Sequence, residues 1–153
     1  MDAIDFNIIK ALQEDGRLSN VELAERVNLS PSPCLRRVKR LEQEGVITSY
    51  RANLDREKAG LPMTIFVDVT LDNNKDHAST EFEQAVLEKD YVISCFLVSG
   101  VADYRLEIVT KDLKGYEYAL HQTQALPHVK SINSNFAIRA VKTAASLPLN
   151  YQV

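Results

Sequence analysis

The sequence predicts an α+β fold in which three short helices precede strands and helices in the order β-α-β-β-α-β. Apolar residues recur at helical three- and four-residue intervals over the first 45 positions. At Met63 the pattern changes to the two-residue alternation of strands, and helical patterns separate the later strands. We therefore predict a helix-turn-helix (winged-helix-like) domain with its linker over residues 1–60 and a ferredoxin-like domain over residues 61–153.

The first helix is predicted over residues 2–14. Ile4, Ile8 and Leu12 repeat there at four-residue intervals, and Gly16 follows as a stop signal. Such spacing places one apolar stripe on the helix, which is the side expected to face a core.

The second helix is predicted from its N-terminal signal. Ser19 is followed three residues later by Glu22, which is the capping-box pattern, in which each side chain accepts a hydrogen bond from the other residue's backbone. The expected inner face of this short helix consists of Leu23, Ala24 and Val27. Asn28 and Leu29 then form the predicted turn.

A third helix is predicted to begin after a capping Ser30, with Pro31 at its first position, and to end at Gly45. At about 100° per residue, Arg36 and Arg40 project away from the apolar side of this helix. That apolar seam consists of Leu35, Val38 and Leu41. The seam is expected to pack on the first two helices, so the arginine side faces outward.

The charge of this third helix favours double-stranded DNA as a partner. No acidic residue lies between Glu25 and Glu42, whereas five basic residues do. A local positive patch sets the field that phosphates meet, although the chain as a whole carries a net charge of −3. The alternative is an ordinary solvated helix face. The residues predicted to contact DNA are Ser30, Ser32, Pro33, Arg36, Arg37, Lys39 and Arg40.

The remaining elements follow from alternation, turn residues and helical spacing. Residues 46–54 are predicted to form a short strand or wing, and residues 55–60 a connecting turn. The second domain is predicted to contain strands over 63–71, 92–98, 104–110 and 129–141 and helices over 77–89 and 113–125. One face of such a sheet stays uncovered unless it meets another sheet, which predicts a homodimer.

Composition and motifs exclude several classes of protein. We find no long apolar run and no secretory leader, so we expect a cytoplasmic protein without a membrane partner. Cys34 and Cys95 are expected to be free thiols, with Cys34 packed in the core rather than reactive. His77, His121 and His128 show no metal-ligand spacing. Because no phosphate loop or nucleophile–base pair occurs either, we expect neither a cofactor nor enzymatic activity.

Several motifs, in order and at matching spacings, carry a family resemblance. They are Ile4-Asp5, Ile8, Leu12, Gly16-Arg17-Leu18-Ser19, Glu22-Leu23-Ala24, Leu29 to Cys34, Arg37-Val38, Arg40-Leu41-Glu42, Gly45-Val46-Ile47, Tyr50, Ser99-Gly100, Asp103-Tyr104, Ser134-Asn135-Phe136 and Ser146-Leu147-Pro148. With this set the chain resembles the leucine-responsive/asparagine regulators (Lrp/AsnC, or feast/famine, family) over essentially its full length. The resemblance implies DNA binding, an amino acid as effector, and dimers that often assemble into octamers.

The same resemblance points to an effector site near the turn between the second and third strands. There the backbone amides of Gly100 and Ala102 are expected to meet a carboxylate, and Asp103 is expected to stabilise an ammonium group or its surrounding loop. Tyr104 is a further candidate contact of the same site. The alternative is a simple hairpin turn, which needs a glycine in any case. Three polar residues of the last strand are further candidates: Asn133, Ser134 and Asn135. Leu97 and Leu113 are expected either to line this pocket or to pack in the core.

These observations together predict a sequence-specific transcriptional regulator whose assembly and DNA binding respond to a small effector. We expect it to act in the cytoplasm, associated with the nucleoid. The alternative is an architectural chromosomal protein that binds DNA without an effector.

Overall fold

The chain consists of two units, each with its own core. The computed structural model describes residues 1–72, 76–143 and 145–149. One unit comprises Met1–Asn53 together with the segment that begins at Lys142, and the other comprises Leu54–Val141. This division differs from the predicted boundary after residue 60. The turn at residues 56–60 belongs to the second unit, where Arg56 donates hydrogen bonds to Thr64 and Glu107.

The first unit contains three helices: α1 (Ala3–Glu14), α2 (Asn20–Arg26) and α3 (Pro31–Gln43). The first two begin with capping boxes. Asp2 and Asp5 exchange backbone-to-carboxylate hydrogen bonds of 2.9 and 3.0 Å at α1. At α2 the Glu22 amide donates to the Ser19 hydroxyl oxygen and the Ser19 amide to the Glu22 carboxylate, as predicted. These bonds satisfy amide groups that the first turn of a helix leaves without partners.

The ends of α3 were predicted correctly in position but not in every contact. Pro31 occupies the first helical position. Ser30 takes the N-cap position, yet its side chain makes no capping hydrogen bond to any residue that the structure describes, which corrects the predicted cap. Gly45 ends the helix with a φ of 71°, and the Val46 amide donates to the Leu41 carbonyl at 2.9 Å. This pattern is a Schellman motif, which favours glycine because the left-handed conformation crowds a side chain.

The core of the first unit joins all three helices. Ile8 of α1 and Leu23 of α2 meet Cys34 and Leu41 of α3, and each is at most 2% exposed. The expectation that Cys34 packs in the core is confirmed. Leu35, in contrast, was expected in the apolar seam and is 43% exposed. The buried residues of α3 are Cys34 and Leu41, whereas Leu35 lies beside the arginines on the outward surface, so its predicted place in the inner seam was wrong.

The predicted wing is not formed within this chain. Residues 46–54 are all described, and none of them is in a strand. An extended segment needs a neighbouring strand for its backbone groups, and the first unit is otherwise helical. Tyr50 instead donates a hydrogen bond of 3.0 Å from its hydroxyl to Glu42 near the end of α3.

The C-terminal segment completes the first unit. The Leu147 amide donates a 2.6 Å hydrogen bond to Gln13 Oε1, and Gln13 Nε2 donates to the Leu147 carbonyl at 3.4 Å. The partly buried Leu149 packs against the helical core. A groove of about 340 Å³ between this segment and α1 is also lined by Lys10 and Glu14.

The second unit has the predicted βαββαβ order. Its elements are β1 (Met63–Leu71), α4 (Asp76–Leu87), β2 (Val92–Leu97), β3 (Tyr104–Thr110), α5 (Leu113–Gln124) and β4 (Val129–Phe136). The strands form one antiparallel sheet in the order β2-β3-β1-β4, which is the ferredoxin-like arrangement. The predicted α+β fold class is therefore confirmed.

The last strand is shorter than its predicted range of 129–141. Phe136 of β4 lies opposite Ile65 of β1, and the Ala137 amide still donates to the Thr64 carbonyl. Strand β1 begins at Met63, which this register places opposite residue 138, so residues 139–141 have no part of β1 to pair with. Ile138 is 99% exposed there. Apolar composition alone therefore overestimated the length of β4.

The two faces of the sheet differ in chemistry. The inner face carries Ile65, Val67 and Leu106, which are almost fully buried against Phe82 of α4 and Ala119 of α5. The outer face has an alternating and more polar set: Phe66, Asp68, Thr70, Phe96, Arg105, Glu107, Asn133 and Asn135. Among the described residues, no helix is both long and apolar enough to cross a membrane.

Candidate DNA and effector sites

The outward surface of α3 forms a shallow basic concavity of about 720 Å³. Ser32, Arg36 and Lys39 are exposed on it. Within the described part of the chain, neither Arg36 nor Lys39 forms an ion pair, so both remain available to an anionic partner. The lining residues are Ser32, Leu35, Arg36, Arg37, Lys39, Arg40 and Gln43. Pro33 is half-buried in the first turn of the same helix.

Two of the predicted DNA contacts are engaged within the unit. Arg37 Nη1 lies 2.8 Å from carboxylate oxygens of both Asp2 and Asp5, and Arg40 Nη2 lies 2.6 Å from Asp5. The Arg37 side chain is only 25% exposed, whereas that of Arg40 is 46% exposed and also lies 3.7 Å from Glu44. Arg37 therefore holds α3 against α1 while it also lines the basic concavity, and its contact with DNA stays a prediction. Arg40 pairs with Asp5 and Glu44 and lines the same concavity.

Asp5 is the anion that organises this contact. It is 1% exposed, and a carboxylate so placed must be paired and hydrogen-bonded. Burial raises the pKa of Asp5, but the Asp2 amide hydrogen bond and the Arg37 and Arg40 guanidinium groups outweigh burial and hold that pKa below its usual value. The carboxylate therefore stays ionised at neutral pH.

The second site is an open concavity of about 690 Å³ on the outer face of the sheet. Arg105 and Asp68 form a two-hydrogen-bond ion pair in its lining, with Nε–Oδ1 and Nη2–Oδ2 distances of 2.7 and 3.0 Å. The hydrogen bond from Arg105 lowers the pKa of Asp68. The cavity is lined by Asp68, Thr70, Val98, Ser99, Val101, Ala102, Arg105, Ser131, Ile132 and Asn133. One wall comes from the turn between β2 and β3, and the other from β4.

The turn itself is fixed by Asp103. Its Oδ2 accepts a 2.8 Å hydrogen bond from the Leu71 amide, and its backbone amide donates to the Val69 carbonyl at 2.9 Å. Its carbonyl accepts a 2.9 Å bond from the Val98 amide. Gly100 has a φ of 128°, which a residue with a side chain rarely adopts. Asp103 therefore shapes the loop that borders the cavity.

Comparisons with known proteins identify both units. Residues 1–48 match the model of a winged helix-turn-helix DNA-binding domain, and residues 64–147 match that of the Lrp/AsnC ligand-binding domain. The Bkd operon transcriptional regulator of Pseudomonas aeruginosa is 42% identical over 150 residues, covering 97% of this chain and 98% of the relative. The leucine-responsive regulatory protein of Escherichia coli K12 is 39% identical over 148 residues, with coverages of 96% and 90%.

The chain belongs to the Lrp/AsnC family of transcriptional regulators. Solved structures agree. A regulator of Neisseria meningitidis, crystallised in complex with L-methionine, superposes with a TM-score of 0.91 at 39% identity, covering 98% of this chain and 97% of that one. An AsnC family regulator of Agrobacterium tumefaciens gives 0.93 at 33% identity, with full coverage of both chains. The family is one of transcriptional regulators rather than enzymes.

In this Lrp/AsnC regulator only some of the predicted effector residues lie at the outer cavity. Ala102 and Asn133 line the outer cavity, while Gly100 and Asp103 shape the loop beside it. Asn135 shares the outer face but lies outside the lining. The remaining two residues do not belong to the outer face. Tyr104 and Ser134 lie on the inner side of the sheet.

The burial and contacts of Tyr104 explain why its side chain does not reach the cavity. It is 1% exposed, its hydroxyl donates a 2.8 Å hydrogen bond to Glu83, and its ring centroid lies 4.7 Å from that of Phe82. Leu97 and Leu113 were expected to line the pocket or to pack in the core. They are 71% and 65% exposed, so neither expectation holds.

The sequence analysis of this regulator missed Asp68 and Arg105. Both lie on the outer face of the sheet, on the neighbouring strands β1 and β3, where Arg105 is directly opposite Asp68. The available signal was a single charged residue in the middle of a nine-residue strand. A charge in such a strand marks the face that is not in the core.

Proposed function

We propose that this Lrp/AsnC regulator reads a specific duplex through α3, with Ser32, Arg36 and Lys39 in direct contact. Arg40, which is already paired with Asp5, adds a weaker contact to phosphate. The observation that carries this proposal is the division of the basic residues of α3 into two sets. Arg37 is held by the carboxylates of α1, whereas Arg36 and Lys39 have no ion pair within the described chain. The exposed set has the charge and reach for bases and phosphates.

We propose further that the outer cavity binds an amino acid. A zwitterion carries one cation and one anion, and Asp68 and Arg105 offer one partner for each. The ammonium group would meet Asp68 and the carboxylate would meet Arg105, after the two side chains separate. The cavity wall near Ala102 and Asn133 adds backbone and amide groups for orientation. The L-methionine complex of the Neisseria meningitidis relative supports this class of effector.

The proposed coupling between the two sites runs through assembly. Two copies joined by their outer sheet faces would form a homodimer, and further association an octamer. The dimer would present two copies of α3 to successive major grooves, roughly 34–36 Å apart or at a multiple of that spacing. An effector bound between protomers changes DNA binding only if it prefers one assembly state. We place this activity in the cytoplasm, at the nucleoid.

The DNA part is tested with Arg36→Ala and a matched Lys111→Ala control, which removes an exposed cation from the other unit. A duplex selected from a randomised pool by the wild-type protein serves as the probe, at fixed salt. Arg36→Ala should raise the dissociation constant roughly 5- to 100-fold, the range of a lost base contact. Lys111→Ala should leave it unchanged. Equal affinity of Arg36→Ala and the control would contradict the assignment of α3.

The effector part is tested with a thermal-shift screen of the twenty amino acids on the full-length protein, because a ligand that binds the native state raises its melting temperature. One or a few amino acids should stabilise the wild type and not Arg105→Ala. Stabilisation that survives in Arg105→Ala would place the effector elsewhere. No stabilisation by any amino acid would contradict the effector proposal and favour an architectural DNA-binding protein.

A further inference from the structure

Three side chains from two separate parts of the second unit meet beside α4. His77 and Glu81 lie one turn apart on that helix, and His128 lies between α5 and β4. Glu81 Oε2 is 3.5 Å from His77 Nδ1 and 2.6 Å from His128 Nε2. The ligand atoms of all three lie within 4.8 Å of one another. Residues 81 and 128 are far apart in the sequence, so no metal-ligand spacing was visible there.

The backbone and a second carboxylate hold His128 in place. Its φ of 61° is in the left-handed region, which a residue with a side chain seldom occupies. The Asp72 amide donates a 2.8 Å hydrogen bond to the His128 carbonyl. Asp72 Oδ1 also lies 3.5 Å from His128 Nδ1, while Nε2 faces Glu81. A carboxylate behind one ring nitrogen, with the other nitrogen directed at a ligand group, is how metal-binding histidines are usually oriented.

We propose that His77, Glu81 and His128 form a binding site for a divalent transition-metal ion of the zinc type. Two imidazole nitrogens and one carboxylate oxygen match the preference of such ions, and three protein ligands leave a fourth position for water. If Glu81 and His128 formed only a hydrogen-bonded pair, no second imidazole would be needed near the same carboxylate oxygen. His77 supplies one from the preceding turn of the helix.

The ligand atoms, which lie within 4.8 Å of one another, must be brought to tetrahedral spacing by rotation of the side chains. Metal–ligand bonds of about 2.0–2.1 Å at tetrahedral angles place neighbouring ligand atoms about 3.3 Å apart. The distance from Glu81 to His128 is shorter than this, and that from Glu81 to His77 is slightly longer. The side chains of His77 and Glu81 are 80% and 46% exposed, so they can rotate without disturbing the core. The ion replaces the proton shared between Glu81 and His128, which passes to the solvent.

A bound ion would connect α4 to the ends of β1 and β4. Asp72 directly follows β1, and His128 directly precedes β4. The site lies outside the basic surface of α3 and shares no residue with the outer cavity. This inference therefore stands independently of the proposed DNA and amino-acid contacts, and its expected effect is on the stability of the second unit.

The test is calorimetric titration of the metal-free, full-length protein with zinc chloride. The wild type should bind one ion per chain, and its thermal stability should rise with the logarithm of zinc concentration above the dissociation constant. His77→Gln and His128→Gln should each weaken binding by roughly tenfold or more, comparable to or larger than the loss of an outer-shell partner. His121→Gln is the control, since His121 is an exposed histidine of α5 outside the cluster.

His77→Gln keeps the test decisive if His128→Gln fails to fold, because His77 is on the exposed surface of a helix. Cobalt(II) absorption spectra provide a second readout, with bands of a tetrahedral nitrogen and oxygen site and without a thiolate band. Zinc affinity that is the same in His77→Gln and His121→Gln would overturn the proposal. A thiolate band would do so as well, because it would assign the ion to Cys95 or Cys34.

Discussion

Removal of the buried Asp5 carboxylate is expected to loosen the DNA-binding unit. In Asp5→Ala the Arg37 and Arg40 guanidinium groups lose their common partner, and the Asp2 amide loses its capping acceptor. Charge-assisted hydrogen bonds contribute about 1.5–3 kcal/mol each, but both guanidinium groups are partly exposed and regain water in the variant. We therefore expect a total loss of about 2 kcal/mol in the free energy of unfolding, allowing for the desolvation that the alanine no longer requires.

Differential scanning calorimetry of the full-length protein measures this loss, since each unit has its own core. For a unit of this size, about 2 kcal/mol corresponds to a melting temperature roughly 8–16 °C lower. Glu25→Ala is the matched control, because Glu25 is an exposed acid on α2. The control should change the free energy of unfolding by less than about 0.5 kcal/mol. Asp5→Ala with the stability of the control would refute the role given to the buried carboxylate.

The pH dependence of the same variant provides an independent check. The pKa of Asp5 is lower in the folded protein than in the unfolded chain, where it is about 3.9. Its contribution is therefore fully present above the unfolded value and is lost as pH falls through the folded value. The stability difference between wild type and Asp5→Ala should be constant near neutrality and should shrink below about pH 4. A constant difference down to pH 2 would contradict the ionised pair.

Three further predictions concern the loop, the outer sheet face and the C-terminal segment. Asp103→Ala should weaken amino-acid binding in calorimetry more than DNA binding in gel shifts, because its carboxylate fixes the turn beside the cavity. Phe66→Lys should reduce dimerisation in sedimentation equilibrium, and an unchanged mass would exclude the outer face as the dimer contact. Leu149→Ala should lower the melting temperature of the first unit, whereas Leu147→Ala, at an exposed side chain, should not.

Local signals were sufficient for most of the fold. The capping box of Ser19 and Glu22, the proline at the start of α3 and Gly45 at its end each acts over a few residues, so the sequence exposes them directly. Alternation likewise predicted β1 and β3 with their observed bounds. The length of β4 depends on where β1 begins, which is a property of the partner strand and not of β4.

The site residues show where local reasoning fails. The pairing of Arg37 with Asp5 joins residues 32 positions apart, and helical projection contains no information about such a neighbour. Arg37 was therefore predicted to reach outward. For Asn133, Ser134 and Asn135 the information was present but not applied. Consecutive strand residues alternate between faces, so Ser134 was bound to lie on the opposite side from the other two.

The return of Leu147 and Leu149 to α1 has a consequence for biosynthesis. A nascent polypeptide that has emerged from the ribosome only through α3 lacks both leucines, so its helical unit is still incomplete. Domains otherwise tend to fold in the order of their translation. In this protein the first unit can complete its core only after the whole second unit has been translated. Loop closure across that unit then delays the last folding step, since long-range contacts form slowly.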